Sequence, residues 1–261
     1  MKPITLTTDF GLEDWFVGTM KGVIQKIAPN ALVIDLTHGI LPGDVRAGTF
    51  VLAAAYRYFP TGTIHTVVVD PGVGGERAGV VIETENNFFV GPDNGVFSFA
   101  LRGERLRSIH RLENPRFQLA EVSRTFHGRD IFAPAAAHLS RGVPAGQLGP
   151  RVHDLLQLEW PEPVAIKSGL RGEVVYIDHF GNCITNLPAS RVLTSGATRV
   201  KIGAKSVPIH DCYSAVKPGK PVAVIGSTDL LEIAINGGNA AKSLKLKAGA
   251  KILLGTDDWH E

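Results

Sequence analysis

Cysteine is nearly absent from this 261-residue chain, which holds only Cys183 and Cys212. Two thiols cannot form a disulfide framework, so they read as reduced thiols in a cytosolic protein. Nothing in the spacing of its nine histidines and two cysteines suggests a metal site. No nucleophile motif stands out, and the Gly-rich run after Asp70 lacks the GxGxxG order and the Lys-Ser/Thr of a phosphate loop. Charge of one sign is also missing. A formal net charge of +2 is too small to argue for nucleic acid or an anionic membrane as partner. The longest apolar run, Phe50-Val-Leu-Ala-Ala-Ala-Tyr56, is too short to span a bilayer and meets Arg57. Met1-Lys-Pro runs straight into Ile4-Thr-Leu without a basic-then-apolar leader, so a cytoplasmic location is expected.

What is present is an ordinary soluble composition, 44% hydrophobic and 20% charged, long enough for two modest cores. Residues 1–160 alternate strand and helix patterns. Pro3–Thr8, Ala31–Leu36 and the β-branched Thr63–Val69 read as strands. Trp15–Ala28 carries a helical apolar face, and Asp44 reads as the N-cap of a second helix. Gly79–Thr84 and Phe88–Val90 read as a hairpin, and Ile131–Leu139 as an alanine-rich helix. The pattern predicts an α/β domain with a mostly parallel sheet and helices on both faces. Leu155–Pro163 is a proline-punctuated linker. Beyond it, residues 165–261 read as short strands and turns, with helical periodicity nearly absent until Asn239. A smaller antiparallel β-barrel-like domain is expected there.

Three segments place polar side chains beside glycines: Val67–Arg77, Thr125–Asp130 and Asp178–Asn182. Loops at strand ends are where α/β proteins keep ligand sites. A carboxylate (Asp70), a guanidinium (Arg77) and an imidazole (His127) suit holding and orienting a water better than covalent catalysis. Each also has a plainer reading, as a turn-forming Asp-Pro, a solvated arginine and an ordinary surface or core histidine. Asp9, at the end of the first strand, could accept a ribose diol or cap the next helix, and Asp14 is a weaker version of the same case. Gly39–Gly43, flanked by His38 and Asp44, could form a second ligand loop. Asn182 can bond donor and acceptor together, as a purine edge requires, and Tyr213 could stack on an aromatic ring. Ser227-Thr228-Asp229 and Asn236-Gly237-Gly238 read equally as ligand-facing or ordinary turns.

Seven segments, in order from residue 8 to 238, together resemble the S-adenosyl-L-methionine hydroxide adenosyltransferase family. They are Thr8-Asp-Phe-Gly, Thr37-His-Gly-Ile, Val69-Asp-Pro-Gly-Val-Gly, Gly91-Pro-Asp-Asn-Gly95, Thr125-Phe-His-Gly-Arg-Asp, Asp178-His-Phe-Gly-Asn, and Ile225-Gly-Ser with Ile233-Ala-Ile-Asn-Gly-Gly. The family is related to the fluorinating and chlorinating 5′-deoxyadenosine synthases. The resemblance implies an α/β amino-terminal domain, a barrel-like carboxyl-terminal domain, and a homotrimer with sites between subunits. It implies hydrolysis of S-adenosyl-L-methionine to adenosine and L-methionine, with no cofactor. Asp70, Arg77 and His127 would activate water, with either Asp70 or His127 as base. Asp9 would hold the ribose diol. Asn182 and the backbone near Gly237 would read adenine, with Tyr213 stacking and Phe180 adding to the substrate surface. Asp14, Asp178, Ser227 and Thr228 would surround the methionine part. The halogenating relatives replace the residues at Asp70 and His127, and the fluorinating ones carry an extra loop for which Val80–Val90 leaves no room. Gly128 matches the hydroxide and chloride branches. Thr228 and Phe16 stand where the fluorinating relatives have arginine and serine. Competing readings are a metal-dependent nucleotide phosphatase and a non-catalytic sensor of S-adenosyl-L-methionine or adenosine. The resemblance predicts that Asp70→Ala abolishes turnover while leaving substrate binding intact, as turnover and equilibrium-binding assays of one preparation would show. Strong retained turnover would contradict the role given to Asp70.

Overall fold

The structure, a computed structural model, describes residues 1–167 and 169–255. The expected end of the carboxyl-terminal domain, 261, lies outside them. The chain divides into two compact units, Met1–Glu159 and Trp160–Glu261.

In the first unit, β1 (Ile4–Thr8), α1 (Phe16–Ile27), β2 (Val33–Thr37), α2 (Val45–Ala55) and β3 (Ile64–Val68) follow the expected alternation. Asp44 caps α2, its carboxylate accepting from the Ala47 amide at 2.9 Å. Next come β4 (Gly79–Thr84), β5 (Phe88–Pro92), α3 (Ser98–Leu101), β6 (Leu106–Arg111), α4 (Ala133–Ser140) and β7 (Arg151–Val152). They form one seven-stranded sheet in the order β2-β1-β3-β5-β4-β6-β7.

The sheet is mixed rather than mostly parallel. The pairs β1–β2, β1–β3 and β3–β5 are parallel, whereas β4–β5, β4–β6 and β6–β7 are antiparallel. Parallel neighbours need a long crossover, which α1 and α2 supply. The short Glu85–Asn87 link joins β4 to β5, and so short a link permits only an antiparallel partner. Helices do cover both faces. Ile4, Leu6, Ile64 and Val68 pack with Met20, Ile24 and Leu139 on one side. Val67, Ile82 and Phe89 pack with Leu52, Tyr56 and Phe97 on the other.

The stretch read as a linker is partly tied down. Its Leu156 amide donates to Asp93 at 2.9 Å and its Leu158 amide to the Ser98 hydroxyl at 2.8 Å, both within the first unit.

The second unit contains β8 (Val164–Ile166), β9 (Gly169–Ile177), β10 (Cys183–Pro188), α5 (Ala189–Ser195), β11 (Arg199–Ile202), β12 (Lys205–Pro208), β13 (Pro221–Ile225), β14 (Leu230–Ile235), α6 (Ala240–Leu244) and β15 (Lys251–Gly255). Its strand pairs are antiparallel, in the order β12-β11-β15-β9-β10-β14-β13, with β8 on β9. A bridge from Ile209 to Ala223 brings the chain after β12 against β13 and nearly closes the barrel. Leu170, Leu187, Val200, Ile233 and Leu254 fill it. Helix α5 lies in the stretch expected to show almost no helical periodicity. It is seven residues long and buries only Ala189 and Val192, too little to register as a period.

His65 is wholly buried on β3, its Nδ1 2.9 Å from the Thr5 hydroxyl, among Tyr56, Phe59 and Phe89. Burial pushes its imidazole down to about 4. The unfolded chain therefore binds this proton from about pH 6.5 downward while the folded chain refuses it until about pH 4. Stability from this residue is full above pH 6.5 and lost progressively towards pH 4, by roughly 3 kcal/mol at most. Denaturant melts at pH 7.5 and 4.5 should show a larger loss for the unaltered protein than for His65→Gln. Equal losses would contradict this.

Candidate active site

Two strand ends and one helix start of the first unit converge on one cavity of about 330 Å³. Asp9 follows β1, Asp70 follows β3, and His127 begins the turn leading into α4. That turn, Gly128–Phe132, is wound as a π-helix, a form often found at functional sites.

Asp70 and Arg77 meet because the loop between them folds back tightly. The Arg77 Nε donates to Asp70 Oδ1 at 2.9 Å, and its Nη2 donates to Asp70 Oδ2. The same Nη2 lies 2.8 Å from His127 Nδ1. Arginine has no lone pair to offer, so Nδ1 accepts and the neutral ring carries its hydrogen on Nε2. The two Nη2 hydrogens are thus divided between a carboxylate and an imidazole. Only 11% of the Arg77 side chain and 4% of that of Asp70 is exposed, so this bidentate pair is shielded from the solvent that weakens surface ion pairs. The guanidinium also lies 5.4 Å from the centre of the Phe132 ring.

One of the glycines between Asp70 and Arg77 sets how closely two loops pack. At Gly74, with φ +75°, an added Cβ would sit 2.1 Å from the Arg124 carbonyl oxygen. That glycine lets the Asp70 loop lie directly on the chain leading to His127.

Asp9 is not the cap of α1. Its Oδ2 accepts from the Gly43 amide at 2.7 Å, so Gly39–Gly43 grips the carboxylate, and Pro42 joins the cavity wall. Burial raises the Asp9 carboxyl above its ordinary range. The Gly43 amide opposes this, and the nearby negative charge of Asp70 adds to it. His127 shifts down, first through burial and then through Arg77. Asp70, Asp130 and the Ser123 backbone favour its proton but do not prevail.

Opposite these polar groups the cavity is aromatic. Phe10, Phe16 and Phe126 pack with ring centroids 5.1–5.7 Å apart. The sequence reading assigned no site role to Phe10 or Phe126, because single aromatic residues carry no periodic signal. Their place beside Asp9 and His127 was the available clue. A Cβ on Gly128 would lie 3.2 Å from Met20 Sδ and from Phe126, so this glycine keeps the aromatic wall closely packed.

Asp14 is exposed in the bend before α1 and is not among the cavity-lining residues. The remaining candidates lie in the second unit. Asp178 and Asn182 form a closed pair. Asp178 Oδ1 accepts from the Asn182 amide at 2.8 Å, and Oδ2 from its Nδ2 at 2.9 Å. Phe180, between them, is 72% exposed. Ser227 and Thr228 form the β13–β14 turn, which ends in Asp229 at φ 63°. Gly237 is exposed in the turn after β14 at φ +68°. Tyr213 donates its hydroxyl to Glu232, a buried carboxylate that the sequence reading missed. Glu232 is a lone acid within an apolar run, which was the signal available, and a Cβ on Gly226 would fall 2.3 Å from its Oε2.

Both units match one family along their length. Residues 4–149 match the SAM hydroxide adenosyltransferase N-terminal domain and residues 172–253 the corresponding C-terminal domain. The chain belongs to the S-adenosyl-L-methionine hydroxide adenosyltransferase family. It is 41% identical to an (R)-S-adenosyl-L-methionine hydrolase of Thermus thermophilus, over 97% of this chain and 100% of that one. It is 26% identical to a fluorinase of Actinoplanes, over 95% of this chain and 96% of the relative. A crystal structure of an uncharacterized conserved protein from Thermotoga maritima superposes with a TM-score of 0.91 at 37% identity, covering 97% of this chain and 99% of that one.

Removing the guanidinium tests its hold on the imidazole. Arg77→Gln deletes the cation that disfavours a second proton and leaves Asp70 unpaired beside the ring. The pKa of His127, followed by NMR titration, should therefore rise in the variant. An unchanged or lower value would contradict the shared guanidinium.

Proposed function

We propose that this protein hydrolyses S-adenosyl-L-methionine to adenosine and L-methionine by in-line attack of water on C5′. The observation that carries the reading is the shielded Asp70–Arg77–His127 set beside Asp9 in one cavity, in a chain of this family. The water oxygen bonds to C5′ as the C5′–sulfur bond breaks. The bonding pair leaves with sulfur as a neutral thioether, so neither a general acid nor a cofactor is needed there. The water's proton must go to a base.

The tautomer favours Asp70 over His127 for that task. His127 spends its Nδ1 lone pair on Arg77 and holds hydrogen on Nε2, leaving no free ring lone pair. Each Asp70 oxygen accepts one bond from Arg77 and retains a further lone pair. His127 would hold the guanidinium, and Arg77 would fix the carboxylate and stabilise developing hydroxide. A positioned base contributes about 10²–10⁴-fold. Alignment in a confined cavity supplies several kcal/mol more. Asp9 would take the ribose diol. Asn182, Gly237, Tyr213 and Phe180 would serve the adenosine end, and Asp14, Asp178, Ser227 and Thr228 the methionine end. We carry a cytoplasmic homotrimer with sites between subunits as part of the same proposal, on the family resemblance. Among the described residues no helix is long and apolar enough to cross a membrane.

Incubation with S-adenosyl-L-methionine, with and without chloride and chelator, followed by chromatography, tests the reaction. Adenosine and methionine should appear in equal amounts, indifferent to both additions. Loss of activity with chelator would favour the phosphatase-like reading, and intact bound substrate would favour a sensor.

A further inference from the structure

The Thr37-His-Gly-Ile segment has no part in the reaction as written, yet its histidine is buried, with 4% of its surface exposed. His38 Nδ1 lies 2.8 Å from the Thr8 hydroxyl. That hydroxyl also accepts the Phe10 amide at 3.2 Å, so its own hydrogen is free to go to Nδ1. The ring's hydrogen then sits on Nε2, which approaches Asp35 Oδ1 to 3.0 Å but without the alignment of a hydrogen bond. Asp35 Oδ2 in turn takes Lys21 Nζ of α1 at 2.5 Å. The backbone repeats the grip, since the His38 carbonyl accepts the Gly11 amide at 2.8 Å.

These bonds replace a ladder that gives out. The β1–β2 register shifts between Leu6 and Thr7, and its last pair is Thr7 with Thr37. Past that pair, β2 no longer holds the β1 chain, and the turn carrying Asp9 and Phe10 begins. His38 takes over one residue later. The same β2–α2 connection supplies the Gly43 amide to Asp9. Two adjoining cavity groups, a carboxylate and an aromatic ring, thus stand on a turn fastened by one histidine.

We infer that His38 is a positioning residue of the active site: through Thr8 and the Gly11 amide it fixes the Thr8–Gly11 turn, and with it the direction of the Asp9 carboxylate. The kinetic part rests on S-adenosyl-L-methionine being the substrate and Asp9 its ribose ligand. Loss of the clamp weakens binding that ground state and transition state share, so KM rises while kcat holds. His38→Ala should raise KM by about tenfold or more with kcat nearly unchanged, since small misplacements of a binding group have effects of this size or larger. His38→Asn places an acceptor oxygen where Nδ1 stood and should recover most of the loss. Thr8→Val, which removes only the hydroxyl, should reproduce the KM effect if His38→Ala fails to fold. In an Asp9→Ala background, the His38 substitution should add almost nothing.

Hydrogen exchange read by mass spectrometry supplies an arm independent of substrate. In His38→Ala or Thr8→Val, the Phe10, Gly11 and Gly43 amides should exchange faster while β4 remains protected. A fall in kcat at constant KM, no rescue by asparagine, or unchanged exchange at those three amides would each overturn the inference. If the unaltered enzyme leaves S-adenosyl-L-methionine intact, the substrate reading falls. The exchange result then decides the clamp alone, with faster exchange upholding it and unchanged exchange overturning it.

Discussion

The Arg77 guanidinium is shared between an anion and a neutral ring, and the chemistry of the cavity follows from that sharing. One nitrogen, Nη2, donates to Asp70 and to His127 at once. Donation to Asp70 fixes the carboxylate in a shielded place. Donation to His127 decides which ring nitrogen keeps the hydrogen, and in the proposed reaction this leaves Asp70 to take the proton from water. Neither residue alone determines its own role. In the proposed reaction the guanidinium assigns both, and Gly74 lets the two loops touch at backbone distance.

The fold places these groups by ordinary means. The parallel half of the first sheet sends β1 and β3 in the same direction, so Asp9 and Asp70 emerge at the same edge. A switch to antiparallel pairing begins with the β4–β5 hairpin, and Asn94 beyond it donates to the Val69 carbonyl at 2.8 Å, pinning the residue before Asp70. The Gly91–Gly95 segment therefore supports the Asp70 strand end. Burial then sharpens the electrostatics, raising Asp9 and lowering His127, each against opposing neighbours.

Much of this was legible from residue patterns, for physical reasons. The β-branched run before Asp70 and the apolar face of α1 have strong periods, and both elements lie where the pattern put them. Asp44 declared itself as a cap by type and position. The antiparallel β4–β5 pair was legible as a hairpin, but the antiparallel β4–β6 and β6–β7 pairs were not, because Val80–Ile82 reads the same beside a parallel or an antiparallel neighbour once both faces are covered. Helix α5 was hidden by its length. Contacts distant in sequence were beyond any local pattern: that His127 accepts from Arg77, that Gly43 serves Asp9, that Tyr213 meets Glu232. Asp14, read as the weaker companion of Asp9, is not among the residues lining this cavity.

The central claim is that Arg77 keeps His127 neutral with hydrogen on Nε2, leaving Asp70 as the proton acceptor. Nitrogen-15 NMR of the imidazole at neutral pH tests it most directly. The account predicts a lone-pair-bearing Nδ1 and a protonated Nε2. A lone pair on Nε2, or protons on both nitrogens, would contradict it and return the role of base to an open choice between the two residues.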